Sequence, residues 1–396
     1  MTHRFTLLMP PATDSFFQRY LLPGFVYTGV VIGGGYATGR DLVQFFLLHN
    51  PAGAALGIAV AAVCWSLMLA VCFEFARIHQ AYDYRTFFKH LLGPVWWFFE
   101  VPFLMMLVIG LAVMGAAAGE ITAGLTGAPR LAGTAVLLVA VGILVVTGTQ
   151  SLERVLGWGS SLLYLFYVMF LWRCWQQYGT RLFVFPDYEP APGSVTGGLQ
   201  YVVMNVSMIP GILFCLRHFR SRTEAVTAGV FAGLLVALPA MAFLLCMSAF
   251  YPAIIEEPVP ISYILLQLGS SWFGIAFQLL LFFTLIQTGV GILHAVNERV
   301  DGTMRERGSA LPRMARAGIA VGYVLTSIVL AEKFGIIELI AKGFTAMAWA
   351  FILSFAVPLM TVGVYKIVRW RAPVASSMPG IAPDFLMNQK GLKVRL

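Results

Sequence analysis

The chain has 396 residues, of which 59% are hydrophobic and only 11% charged, and its mean hydropathy is +0.82. Such values exclude an ordinary soluble domain and mark an all-α polytopic membrane protein, whose surroundings are the lipid bilayer. A formal net charge of +8 would point to nucleic acid in a soluble chain; here the placement of the basic residues assigns it to topology, and no nucleic-acid partner is expected.

A bilayer core takes roughly 20 apolar residues per helix. Runs of that kind predict ten spans, at about 18–48, 52–78, 95–126, 131–149, 152–177, 198–219, 224–251, 270–297, 313–331 and 343–368. Residues 1–16 lack an apolar run followed by a small-residue cleavage site, so they read as an inner segment and the first span as the targeting signal. Residues 17–371 then form one transmembrane domain, and 372–396 a polar tail. With the N-terminus inside, twenty of the 26 Lys and Arg fall on the inner side and five on the outer, leaving Arg40 in the membrane.

The first span contains "GVVIGGGYATGRDLVQFF", residues 29–46. Gly33, Gly34 and Gly35 remove every side chain over nearly a turn, at about 1 kcal/mol each relative to alanine, so the helix unwinds easily there. Arg40 and Asp41 follow. Ionised groups at this depth are expensive, which makes a functional role the default. Being adjacent, they do not face each other on a helix, and each needs its own partner. For Arg40 that is an anionic substrate group or Glu120 of the third span. For Asp41 it is a substrate ammonium, an exchangeable proton or a structural partner elsewhere in the bundle.

Further along, "HQAYDYRTFFKHLLG" (79–93) alternates charge with apolar residues, as an interfacial helix does. "GAAAG" (115–119) and "GVFAG" (229–233) are small-residue stripes suited to close helix packing. The long outer connection at 251–269 ends in an apolar stretch too short to span, which predicts a lid helix. In the sixth span Ser207-Met208-Ile209-Pro210-Gly211 interrupts the same relative position as the glycines of the first, since Pro210 lacks a backbone donor and Gly211 loosens the rest. Each broken span is followed by four more, so the halves run in opposite senses. This is a 5+5 inverted repeat, about 18–177 and 198–368, with broken helices 1 and 6 around a midplane site.

Thr284, Gln287, Thr288, Gly291, His294 and Glu298 recur at three- and four-residue spacing in the eighth span and form one polar face. Asp41, Glu100, Glu120 and His294 are the candidate proton carriers; Glu74 and Glu100 also suit helix-pairing roles near the inner interface. The five cysteines show no CxxC spacing and read as small core residues. HExxH, GxSxG and P-loop motifs are absent, and no two histidines have i,i+4 spacing, so no enzyme and no metal site is expected.

The broken first and sixth helices resemble the LeuT-type fold of the amino acid–polyamine–organocation superfamily. More narrowly, "VVIGGGYATGRDLVQFF" is similar to the first-helix pattern of the YkvI family of bacterial membrane proteins, approximately Gly-Ala-Gly-Phe-Ala-Ser-Gly-Gln-Glu. Gly33, Gly35, Ala37 and Gly39 match it, Tyr36 stands for Phe, Thr38 for Ser and Asp41 for Glu, while Arg40 departs from the Gln. "LQYVVMNVS" resembles the family's sixth-helix Tyr and Asn at Tyr201 and Asn205. The resemblance implies a bacterial cytoplasmic membrane protein with both termini in the cytoplasm. Helices one, two, six and seven would rock against a scaffold of three, four, eight and nine.

The expected function is alternating-access transport of a small polar, zwitterionic, amino-acid-like solute, with protons or sodium as the coupling ion and no other cofactor. Its carboxylate would lie on freed amides at the half-helix N-termini, its amine near Asp41 or freed carbonyls, and Tyr36 would form an aromatic wall. In sodium-coupled relatives an ion joins the first break to hydroxyls of helix eight; Thr284 and Thr288 are the candidates, though a turn apart rather than adjacent. A ligand sensor with the same pocket and no net transport is the alternative.

Overall fold

The computed structural model describes residues 16–370 apart from 33, 148–149, 184–187, 270, 307 and 310. Residues 1–15 of the expected inner segment, the tail at 372–396 and Gly33 therefore lie outside the described residues. Within the described residues every regular element is helical.

A π-helical turn, Phe17–Leu21, leads into α1 (Leu22–Val31). Pro23 sits in its first turn, where a missing N–H leaves no bond unmade. Helical geometry stops at Ile32, whose ψ is 66°, and resumes in α2 (Gly34–Thr38). A second interruption follows at Gly39. Its φ of 82° lies in the left-handed region that favours glycine, and it begins α3 (Arg40–Phe45). The single expected break is thus a double one, with a five-residue helix between.

Next come α4 (Asn50–His79), α5 (Tyr84–Leu92), α6 (Trp97–Thr126), α7 (Arg130–Thr147) and α8 (Gln150–Tyr178). The interfacial helix α5 is started by Asp83, whose Oδ1 accepts from the Thr86 amide at 3.0 Å. In the sixth span α9 (Ser194–Val206) gives way to 3₁₀ turns at Ile209–Gly211 and Leu213–His218, so the Pro210-Gly211 break falls where expected. Ser221 then starts α10 (Arg222–Ser248): its Oγ accepts from the Glu224 amide at 3.2 Å while Glu224 accepts from the Arg220 amide at 2.8 Å, close to a capping box. The lid consists of a turn, Ala253–Glu256, and α11 (Pro260–Gln267).

The remaining tracts are α12 (Ser271–Glu306), α13 (Arg313–Glu338) and a last span in which α14 (Thr345–Phe351) and α15 (Val364–Arg369) alternate with π-helical stretches. The tract α13 runs past its expected end at residue 331 and is kinked at Gly335, where φ is 65° and ψ 174°. The helical tracts thus follow the expected spans. By length and composition alone, five stretches of the described residues are apolar enough to cross a membrane, and Arg130–Val145 is a shorter apolar helix.

Two packed groups result. In one, α4 and α10 meet along a seam of small residues: a Cβ on Gly229 would lie 2.4 Å from the Ala70 Cα, and one on Gly233 2.3 Å from the Ser66 amide nitrogen. In the other, α6, α7, α12 and α13 pack together, and a Cβ on Gly119 would lie 2.7 Å from the Arg130 carbonyl. Both small-residue stripes therefore bring backbones together, which is how membrane helices associate without a hydrophobic driving force. The broken spans approach each other where they are broken, since a Cβ on Gly211 would touch the Val30 methyls at 3.6 Å.

Candidate functional site

A cavity of about 780 Å³ lies between the two groups. At one end it is lined by Gly35, Tyr36 and Asp41 of the first span, Asn205, Pro210 and Gly211 of the sixth, and Thr284, Gln287 and Thr288 of α12. At the other end it reaches Asp83 and Arg85 of the interfacial segment and Arg299 and Gly302 of α12. Fifteen residues of helix separate Thr284 from Arg299, about 22 Å at 1.5 Å per residue, so the cavity runs along the bundle.

The carboxylate of Asp41 lies against the backbone of Gly35. A Cβ on Gly35 would meet Oδ1 at 2.0 Å, a distance no side chain tolerates. Only glycine at that position lets the carboxylate fold back over the break. Asp41 is 5% exposed, and its Oδ1 is buried without a hydrogen-bond partner among the described residues. The short helix is fixed locally: Thr38 donates to the Gly35 carbonyl at 2.8 Å, and its hydroxyl accepts from the Arg40 amide at 3.3 Å.

Arg40 turns the other way. It is 2% exposed, is not among the cavity-lining residues, and its Nη1 donates to the carbonyls of Ile255 at 2.5 Å and Glu257 at 3.1 Å. Both expectations for it are corrected. No anionic site is formed by its guanidinium in the cavity, and Glu120 pairs instead with Arg130 at 3.1 Å across the α6–α7 turn. The physical reason is helix geometry: Arg40 and Asp41 are successive residues of α3, about 100° apart around its axis, so the first meets the lid while the second lies over the break. The lid seats on the same glycine, since a Cβ there would lie 3.3 Å from the Pro260 Cβ.

Other expected site residues divide. Tyr201 is buried in an aromatic cluster, its ring 5.5 Å from Phe45, 5.0 Å from Phe46 and 5.6 Å from Trp65, and it does not line the cavity. Ser207 donates to the Met204 carbonyl at 2.5 Å and is likewise outside the lining. Asn205 lines the cavity while its Nδ2 donates to the Tyr201 carbonyl at 2.8 Å. Of the glycine run, Gly33 is beyond the described residues, and Gly34 opens α2.

Compared with known proteins, the chain matches no family model. It is similar to the uncharacterised membrane protein YkvI of Bacillus subtilis (strain 168), at 22% identity over 290 residues, covering 70% of this chain and 80% of that one. Among solved structures it is similar to MhsT in complex with L-phenylalanine, with a TM-score of 0.56, 16% identity, and 89% of this chain and 97% of that one covered. A manganese transporter of Eremococcus coleocola, solved as a mutant, superposes with a TM-score of 0.53 at 15% identity over 89% of this chain and 81% of that one. The chain is thus similar to YkvI over most of its length, and it has the LeuT-type fold of these solved structures.

In this LeuT-type fold α12 presents its polar face to the first break. Thr284 donates to the Leu280 carbonyl at 2.9 Å and Thr288 to the Thr284 carbonyl at 3.0 Å. Each hydroxyl hydrogen is thus used within the helix, and the oxygen lone pairs are what a cavity ligand would meet. His294 is exposed and lies outside the cavity lining. Glu74 and Glu100 take helix-pairing roles: Glu74 holds Arg77 through two bonds of 2.7 Å, and Glu100 lies 3.5 Å from Arg299. Among the described residues no three His, Cys, Asp or Glu converge as metal ligands would.

Two features went unread in the sequence. One is the cationic mouth, where the Arg299 guanidinium is sandwiched 4.3 Å from the Tyr84 ring and 4.0 Å from Phe103, and where Arg85 donates to the Thr303 hydroxyl at 2.5 Å. The spacing of aromatic and basic residues in 79–93 held a signal for it. The other is the wall of Met106, Met114, Met204 and Met208, whose flexible, polarisable side chains adapt to bound ligands of varied shape.

Proposed function

We propose that this protein is a secondary transporter that carries a small amine-bearing, amino-acid-like solute by alternating access, coupled to protons. The observation that supports this reading is the Asp41 carboxylate, buried at the break of the first span, facing the cavity, with its sequence neighbour Arg40 engaged by the lid. A carboxylate in a low-dielectric site requires a cation or a proton, and both are brought to it by the proposed cycle. The solute's ammonium would sit on Asp41 between the breaks, with the methionine wall and Tyr36 around its side chain and Asn205 and Gln287 lining the same space.

With the Arg- and Lys-rich end taken as cytoplasmic, the cavity is in its inward-facing form. The lid and Arg40 close the outer end, and release would take place past Arg85 and Arg299. On this reading the chain sits in a bacterial cytoplasmic membrane with both termini inside.

The test is flux. The purified full chain in liposomes should accumulate a labelled amine or amino acid when a pH gradient is imposed in sodium-free buffer, and Asp41→Asn should stop accumulation. Ligand binding without flux in the unaltered protein would make it a sensor instead and would end the transport reading.

A further inference from the structure

Away from the central cavity, the basic end of the bundle carries a groove of about 430 Å³. Its walls are Leu91, Leu92 and Val95 at the end of α5, and Val357, Pro358 and Val362 of the last span. Val95, Val357 and Val362 are exposed, so the groove is an apolar trough on the lipid-facing perimeter. Gly93 also lines it, with no atom within 4 Å of where a Cβ would lie.

One end of this trough is cationic. Lys366 lines it and donates to the His90 carbonyl, which uses one of the three donors of its ammonium. The ring of His90 stacks on His79 at 4.7 Å. Lys89, one residue before His90 and three before Leu92, is exposed, and its ammonium lies 6.0 Å from the Trp96 ring. Glu74, on the adjoining stretch of α4, is already neutralised by Arg77. Trp97 and Tyr365, near Val95 and Lys366 in the chain, are exposed, and Trp and Tyr are the residue types that settle at the level of lipid headgroups.

We propose that this trough is a binding site for an anionic phospholipid of the leaflet on the basic side, its acyl chain lying along Leu92, Val95, Val357 and Val362 and its phosphate held by Lys366 and Lys89. Charge and shape select this occupant together: the trough is apolar along its length and cationic at its headgroup end, and a zwitterionic lipid would set its own ammonium against Lys366. Because α5 is also the segment that supplies Tyr84 and Arg85 to the mouth of the central cavity, a bound lipid would brace that mouth. The assignment stands independently of what the cavity transports.

The experiment uses the full chain in detergent micelles with a phosphatidylglycerol that carries a photoactivatable acyl chain. Labels should map to residues 91–95 and 357–362, and unlabelled phosphatidylglycerol should compete about fivefold better than phosphatidylcholine. In Lys366→Ala/Lys89→Ala that preference should vanish, while Lys366→Arg/Lys89→Arg keeps it. If the alanine pair does not fold, Val362→Trp fills the trough while leaving both ammonium groups, and must remove the labels at 91–95. Labels spread evenly around the perimeter, equal competition by both lipids, or a preference unchanged in a folded alanine pair would each overturn the site.

Discussion

Asp41 and Gly35 are in contact across the break of the first span: the carboxylate occupies the space that any side chain on Gly35 would need, with Oδ1 2.0 Å from the position of a Cβ. The glycine is therefore required to admit the acid. Gly35→Ala should displace the carboxylate from the cavity. Overpacking of this kind costs about 1–3 kcal/mol, and ligand affinity should fall by at least about tenfold, measured by thermal shift and binding on the purified protein. Unchanged affinity in Gly35→Ala would remove Asp41 from the site.

Gly34 tests the break itself. It opens α2 directly after the described chain leaves helical geometry at Ile32. Gly34→Leu should abolish ligand binding in a protein that still folds and inserts, because a bulky side chain at the restart of the helix crowds the cavity end. Binding retained by Gly34→Leu would leave the glycines with packing as their only task.

The seam between α4 and α10 should behave differently. Gly229 and Gly233 lie against backbone atoms at 2.4 and 2.3 Å from their would-be Cβ positions, and backbone does not move aside as a side chain end does. Gly233→Val should lower stability toward the upper end of about 1–3 kcal/mol and reduce the yield of folded protein, whether or not ligand is present. A well-folded Gly233→Val of unchanged melting temperature would contradict this packing.

Much of this was legible in the chain. Composition gave the solvent, and glycine and proline chemistry gave both broken spans, because local backbone preferences need no tertiary context. The stripes at 115–119 and 229–233 were legible as packing surfaces for the same reason. The partner of Arg40 was not: Ile255 and Glu257 accept through backbone carbonyls, which every residue has and no sequence pattern marks. Gly39 matches a motif in the sequence, yet its left-handed φ adds a second interruption that the motif does not mark. Tyr201 matched a family pattern and proved to be aromatic core. Glu120 was assigned by depth alone, although Arg130 stands just across a short turn at 127–129.

Arg40 and Glu120 now make a separable pair. Since Arg40 holds the lid and Glu120 holds Arg130, Arg40→Gln and Glu120→Gln should be additive in melting free energy to within about 0.5 kcal/mol, with no rescue in the double variant. Arg40→Gln should also loosen the outer closure. A cysteine placed at Ala37, buried beneath the lid, should then react faster with a membrane-impermeant thiol reagent. Strong coupling between the two substitutions would restore a direct Arg40–Glu120 pair in some state of the cycle.

The coupling ion is decided by two side chains on opposite walls of one cavity. Asp41 offers an ionisable carboxylate with Oδ1 lacking a partner among the described residues, whereas Thr284 and Thr288 offer only hydroxyl oxygens whose hydrogens are bound within α12. A proton needs the first and has no use for the second; a sodium ion needs oxygen ligands from both walls. Proton coupling through Asp41 therefore predicts uptake driven by an imposed pH gradient without sodium, lost in Asp41→Asn, and changed by no more than about twofold in Thr288→Ala, since only a neutral cavity contact is removed. Sodium coupling predicts the reverse dependence on the gradient, with Thr288→Ala as the damaging variant. Strict sodium dependence together with a fully active Asp41→Asn would transfer the coupling role to the α12 hydroxyls and leave Asp41 as a structural acid at the break.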